Sequence, residues 1–258
     1  MTTRKFLVVL GAFDPEMRAI EELVLTHGHF TVEALSKGSR VTSRTAYEAD
    51  IPPCADAQVW VECRPREGFG QNKVIIVDHH LPGDPGYGVP ALEYWQASSI
   101  GQICSLIGHE PTNRLRIIAA ADHCLSAAYR GECPGVDPQR LCEWRVASRA
   151  TFQRRKQADV MLDITSAIRL LEQSPRMEIG GESVADLRIF QRPIAEIAEA
   201  TAMTDIPCLV YGHCKGKLRL VGSRGPAISR FLQNQVPGIH LSGVYGDPAR
   251  GFAGGYAD

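Results

Sequence analysis

Charge of one sign is scarce in this 258-residue chain: 28 Lys and Arg stand against 29 Asp and Glu, a formal net charge of −1. No global field draws it to nucleic acid or to an anionic surface, so any polyanion site has to be a local patch. Long apolar runs are missing too. Nothing approaches the roughly 20 residues that span a bilayer, and no membrane partner is expected. The opening stretch has two basic residues and a short apolar run that stops at Gly11 without a small-residue cleavage pattern, so it reads as a first strand and not a signal peptide. None of the eight cysteines forms a C-x-x-C pair. The usual structural zinc spacings are therefore unmatched, and the expectation is reduced core cysteine in a cytoplasmic protein.

What is present is an ordinary globular composition, with 44% hydrophobic and 22% charged residues, over a length that suits two cores better than one. Residues 6–10 (FLVVL) make an apolar run of strand length. Asp14 then suits a helix N-cap and Pro15 a first helical turn, with apolar positions at Met17, Ile20, Leu23 and Val24 in helical spacing. Residues 30–35, 58–62 (QVWVE) and 73–77 (KVIIV) read as further strands, and 81–90 (LPGDPGYGVP) as a surface loop. Helices are expected over 98–107 and 113–121, and one long helix over 144–171 with a basic centre. Beyond it come polar sequence, a helix over 193–203, strands over 208–213 and 217–222, a helix over 226–235 and a strand near 240–245, with a glycine-rich end. The fold class expected is α/β: a mostly parallel sheet with helices on both faces, followed by a smaller α+β domain. The expected division is 1–145, a connecting helix and linker over 146–178, and 179–258.

Acids and imidazoles fall at the carboxyl ends of three expected strands. Asp14 and Glu16 follow the first, Glu62 ends the third, and Asp78-His79-His80 follow the fourth. Ligands of open parallel sheets bind at those ends. Asp122-His123, after the apolar helix of residues 115–121, could join them. Carboxylates and histidines together suit a divalent ion such as Mn²⁺, and a pair of such ions can clamp a phosphoryl group during in-line displacement. Each residue has a plainer reading: Asp14 as a cap alone, Glu62 as an exposed strand end, His123, His109 and His213 as ordinary hydrogen-bonded or surface histidines.

With these motifs in view the chain resembles the DHH phosphoesterase superfamily, over almost its whole length. LVVLGAFDPEMRAI is similar to the family's first motif, a strand followed by D-x-D and a helix; QVWVEC stands in the place of the second; VIIVDHH matches the third; ASSIGQICSLIG resembles the small-residue helix that follows; and IIAAADHC resembles the fourth. The resemblance implies a metal-dependent phosphoesterase with Mn²⁺ or Mg²⁺. Its ligands would be Asp14, Glu16, Glu62, Asp78, His79 and Asp122, with His79 and His80 as catalytic imidazoles. It also implies a C-terminal domain that binds substrate through Ser223, Arg224, Arg250, Gly251, Gly254, Gly255 and Tyr256. The substrate class would be a small nucleotide, a short oligonucleotide or another phosphate ester, since a near-neutral chain suits long duplexes poorly. A homodimer is compatible with this reading.

The chain departs from the family pattern at three places. The first motif lacks the His that usually precedes D-x-D, Glu stands at 16 and 62 where Asp is usual, and Gly254-Gly255-Tyr256 stands where G-G-H is expected. Two outcomes follow: an altered metal site with a divergent substrate, or a degenerate member that binds a nucleotide or phosphate without hydrolysis. A third reading, a chance D-H-H in an unrelated α/β enzyme, requires Asp14, Asp78 and Asp122 to lie far apart.

Overall fold

Residues 5–50, 57–69, 73–248 and 251–257 are described by a computed structural model. The chain divides into two units, Met1–Leu141 and Cys142–Asp258.

The first unit is built on a four-stranded sheet. Its strands are β1 (Leu7–Leu10), β2 (Phe30–Glu33), β5 (Ala57–Val61) and β6 (Lys73–Val77), in the order β2-β1-β5-β6 and all parallel. Val8, Val9 and Leu10 in β1 and Val59, Trp60 and Val61 in β5 are all buried. Such unbroken apolar runs mark strands covered on both faces. Between β2 and β5 a short hairpin, β3 (Leu35–Ser36) with β4 (Ser39–Arg40), leads into a 3₁₀ turn over Ala46–Glu48. Val41, Ala46 and Ala49 from this segment pack on Val9 and Trp60. That part of the face is therefore covered by hairpin and turn. Buried Trp60 keeps its indole N–H satisfied by donating to Gln58 Oε1 at 2.9 Å.

Six helices belong wholly or partly to this unit: α1 (Pro15–Thr26), α2 (Tyr94–Ala97), α3 (Ser99–Ile107), α4 (Asn113–His123), α5 (Leu125–Tyr129) and the start of α6 (Pro138–Gln153). Their starts follow capping chemistry. Asp14 accepts from Met17 N at 2.7 Å with Pro15 in the first turn, Ser98 accepts from Gly101 N at 3.2 Å, and Thr112 accepts from Leu115 N at 3.3 Å. Gly108, left-handed at φ +71°, ends α3.

The long helix expected over 144–171 is two: α6 stops at Gln153, and α7 runs over Gln157–Gln173. The break falls on Arg154-Arg155-Lys156, with Arg154 left-handed at φ +54°. Three adjacent cations repel one another, and Arg155 turns instead to Asp163 of α7 at 2.6 Å.

The second unit carries a six-stranded mixed sheet. β7 (Arg176–Ile179), β8 (Glu182–Asp186), β9 (Cys208–Tyr211), β10 (Lys217–Val221), β11 (Leu241–Asp247) and β12 (Phe252–Ala257) lie in the order β11-β12-β10-β9-β8-β7. Among the described residues only the β8–β9 pairing of this sheet is parallel. Three strands lie where none was expected. β7 and β8 form a hairpin through Gly180-Gly181, both at positive φ, as a tight two-residue turn requires. The glycine-rich end is β12, a central strand. Helix α9 (Gly225–Leu232) packs Ala227, Ile228 and Phe231 into one core of this unit. Ala167 and Leu171 of α7 join Ile197 and Ala200 of α8 (Ile197–Thr204) in another. Among the described residues no helix is long and apolar enough to cross a membrane.

Candidate metal centre

The strand order places a switch point between β1 and β5: the chain leaves β1 for β2 on one side, while β5 and β6 lie on the other. Crevices of this kind take ligands at the carboxyl ends of the strands. Here the two ends are drawn tightly together. Gly11 N donates to Val61 O at 3.0 Å. A Cβ at Gly11 would stand 2.7 Å from Glu62 O and 2.8 Å from Val61 O. Glu62 itself leaves β5 in the left-handed region, at φ +51°. Strain of this sort costs on the order of 1–3 kcal/mol and persists where surrounding structure imposes it, commonly at functional sites.

Four side chains converge here. One ligand atom each from Glu62, His79, His80 and Asp122 lies within 4.8 Å of the others. His79 Nδ1 is 4.0 Å from Glu62 Oε1, and His79 Nε2 is 3.1 Å from Asp122 Oδ2. The last distance is short, yet the two atoms do not hydrogen-bond to each other. His79 Nε2, Asp122 Oδ2, Glu62 Oε1 and Glu16 Oε2 are all buried polar atoms without a hydrogen-bond partner among the described residues. Orphaned buried polar atoms are costly and rare in native proteins. Several acids and an imidazole nitrogen left open at one spot fit the donor set of a divalent cation.

Glu16 is held at the same edge by α3: its Oε1 accepts from Ile100 N at 3.0 Å, leaving Oε2 open. Burial and the charges of Asp122, Glu62 and Asp14 push its carboxyl well up. Burial, Asp122 and Asp14 do the same to Glu62. Asp14 is pushed up to about 6, first by burial and then by Asp122. Asp122 goes the other way. Burial opposes its ionisation, but contact with His79 and the charges of His79 and His80 hold its carboxyl low. The mutual effects among Asp14, Glu16, Glu62 and Asp122 place the four acids in one electrostatic cluster.

Asp78, expected among the ligands, is engaged by hydrogen bonds on both carboxylate oxygens. Its Oδ1 accepts from His79 N (2.7 Å), His80 N (3.0 Å) and His80 Nδ1 (2.8 Å), and its Oδ2 accepts from Tyr47 O–H at 3.1 Å. Burial opposes its charge, but the hydrogen bonds and the His80 imidazole prevail and its carboxyl is held low. Asp78 thus sets the turn that presents both histidines, and it stands outside the four-residue group. The two rings stack with centroids 4.3 Å apart. Ser99 Oγ lies 3.3 Å from His79 Nδ1, and Gly86 passes so close that a Cβ there would sit 2.8 Å from His79 Cβ. The loop expected at the surface over 81–90 therefore packs inward at this point, with Asp84 buried and paired to Arg64.

Two contributors were missed in the sequence. Tyr47 and Ser99 carry no motif of their own. His123, read as an ordinary histidine, stands edge-on to His79 at 5.0 Å, and its Nε2–H donates to Val89 O at 3.1 Å. Its Nδ1 is left buried and unpartnered, the arrangement in which a histidine is oriented for metal ligation. Its position directly after Asp122 was the available signal.

Ser223 and Arg224, expected to bind substrate, have partners within the second unit. Ser223 Oγ donates to Glu182 Oε2 at 2.7 Å, Arg224 N donates to the same oxygen at 3.0 Å, and the Arg224 guanidinium reaches Asp205 at 2.8 Å. Gly254 and Gly255 do not form an open anion-binding loop. They lie in β12 between β10 and β11, where Gly254 makes room for the Tyr245 ring: a Cβ there would stand 2.4 Å from the Tyr245 hydroxyl. Gly251 turns at φ +68° just before β12, and Tyr256, 41% exposed, pairs with Lys217 and Ser242 in the sheet register. Arg250 lies outside the described residues. Compared with known proteins, the chain matches no family model and no curated protein.

Proposed function

We propose that the chain is a divergent member of the DHH phosphoesterase superfamily, a divalent-metal-dependent enzyme that hydrolyses a phosphodiester or phosphomonoester in a small nucleotide or short oligonucleotide. The observation that carries this reading is the set of unpartnered buried atoms of Glu16, Glu62, His79 and Asp122 at the β1–β5 switch point. Asp14, Glu16, Glu62, His79 and Asp122 would hold Mn²⁺ or Mg²⁺, with the open Nδ1 of His123 as a further donor. When bound, such an ion polarises a phosphoryl oxygen and lowers the pKa of water. The chain's own groups do the rest. Asp78 fixes the His80 ring, and His80, stacked on His79, is placed to offset charge developing on the phosphoryl oxygens. The near-neutral net charge favours a short substrate over a long duplex.

A second reading has its own support. The carboxylate of Asp78 accepts hydrogen bonds at both oxygens, Glu stands at 16 and 62, and no His directly precedes Asp14 in the first motif. A protein that binds a nucleotide or phosphate without hydrolysing it would retain such a site. The deciding experiment strips the purified protein with chelator, reloads it with Mn²⁺, and assays bis-p-nitrophenyl phosphate and a dinucleotide panel, wild type beside Asp122→Asn. Mn²⁺-dependent turnover, at least about 100-fold lower in the variant, is the expected result. No turnover of any substrate selects the second reading, and a protein that resists reloading with Mn²⁺ counts against catalysis.

A further inference from the structure

Just past Asp122, two thiols face each other. Cys124 Sγ and Cys133 Sγ lie 3.2 Å apart, and neither is in a disulfide. A disulfide needs its sulfurs about 2.05 Å apart, so closure takes a movement of about 1.1 Å. Each cysteine also sits on anchored backbone. Cys124 N donates to Ala120 O at 3.1 Å, ending α4, and the neighbour of Cys133, Pro134, accepts from the Tyr94 hydroxyl at 3.2 Å. Cys133 is buried and Cys124 is half-buried, so an oxidant meets Cys124 first.

We infer that Cys124 and Cys133 are a redox pair that closes to a reversible disulfide on exposure to a hydroperoxide, locking the segment next to Asp122 and His123. The Cys124 sulfur attacks one peroxide oxygen. The O–O bond breaks, the departing oxygen leaves as water or alcohol with a proton, and Cys124 becomes a sulfenic acid. The Cys133 sulfur then attacks the Cys124 sulfur, the S–S bond forms, and hydroxide departs and takes up the Cys133 proton as water. Each sulfur gives up one electron, and the two electrons reduce the peroxide. The closed ring spans α5 and begins two residues beyond Asp122. Oxidation therefore holds the α4–α5 junction in the conformation that presents Asp122 and His123. Pre-organisation of that kind tightens ligand binding.

Full-length protein, reduced and then treated with hydrogen peroxide, should lose two of its eight alkylatable thiols. Mass spectrometry should find one cross-linked peptide pair joining positions 124 and 133, and dithiothreitol should restore both thiols. Cys133→Ser should stop at a sulfenic acid on Cys124 that dimedone traps. If that variant fails to fold, the wild-type peptide map alone decides. Both cysteines alkylated after peroxide, or over-oxidised with no cross-link, overturns the inference. The effect on the site rests on the metal reading above: Mn²⁺ affinity should be a few-fold tighter in the oxidised form. Equal affinity in the two forms overturns the coupling to the site. If neither form binds Mn²⁺, the metal reading fails while the cross-link result stands on its own.

Discussion

Replacing Asp14 by Asn should make the metal-free protein more stable, the reverse of the usual effect of a substitution. Burial, and then the charge of Asp122, raise the Asp14 carboxyl from its ordinary 3.8 to about 6. A folded state with the raised value holds the extra proton between those pH values, so the stability of the metal-free chain falls as pH rises through that window. A rise of about 2 units corresponds to about 3 kcal/mol at pH 7.5. The side chain is only half-buried, and solvent screening brings the expectation down to about 1–2 kcal/mol. Asn keeps the helix cap, because its amide oxygen can accept from Met17 N as the carboxylate does at 2.7 Å. The assay is urea unfolding of both proteins in EDTA at pH 7.5 and pH 4. The variant should gain about 1–2 kcal/mol at the higher pH, and the two should converge at the lower. Adding Mn²⁺ should then stabilise the wild type more than the variant. A variant equal to or weaker than wild type in EDTA at pH 7.5 would refute the claim that clustered acids destabilise the empty site.

Gly11→Ala pushes a Cβ into the backbone carbonyls of Val61 and Glu62 and should cost about 1–3 kcal/mol by thermal or urea unfolding, with weaker Mn²⁺ binding. Asp122→Asn should lower Mn²⁺ affinity about 10- to 100-fold by calorimetry while leaving the far-ultraviolet circular dichroism unchanged. In the second unit, Arg145 grips buried Glu199 through Nε at 2.9 Å and Nη2 at 2.6 Å. Arg145→Met should therefore cost about 3–5 kcal/mol, and adding Glu199→Leu should recover most of the loss in a double-mutant cycle. Phe231→Ala, removing a fully buried ring of the second core, should cost about 3–5 kcal/mol in the same urea assay.

Strands β1 and β5 were legible because their apolar residues are buried on both faces, which leaves an unbroken apolar run in the sequence, while the edge strands β2 and β6, with Phe30 and Ile75 exposed, were legible from their β-branched residues alone. The hairpin β7–β8 was not. Its residues alternate weakly with charge (RMEI, ESVAD), and its one strong signal was the Gly180-Gly181 turn. Strand β12 was hidden for the opposite reason: Gly254 and Gly255 look like a loop but make room for side chains of β11. The split of the helix near 154 lay in the Arg-Arg-Lys run, read only as a basic centre. In the site, the acids at strand ends could be placed from local pattern, since a parallel sheet fixes where those ends gather. The duties of Asp78, Tyr47 and Ser99 could not, because they depend on loops closing over dozens of residues; Tyr47 meets Asp78 across 31 positions.

The hydrogen bonds to Asp78 bear on how genetic experiments at this triplet should be interpreted. The carboxylate ties together a turn, the His80 imidazole and a tyrosine from a distant loop. A null phenotype for Asp78→Ala would thus report collapse of a scaffold as readily as loss of chemistry. Asp78→Asn, which keeps an acceptor oxygen for the turn but loses the charge beside His80, is the more discriminating allele. Screens that score this position by alanine alone would credit the letter that most resembles the family with work done by its neighbours.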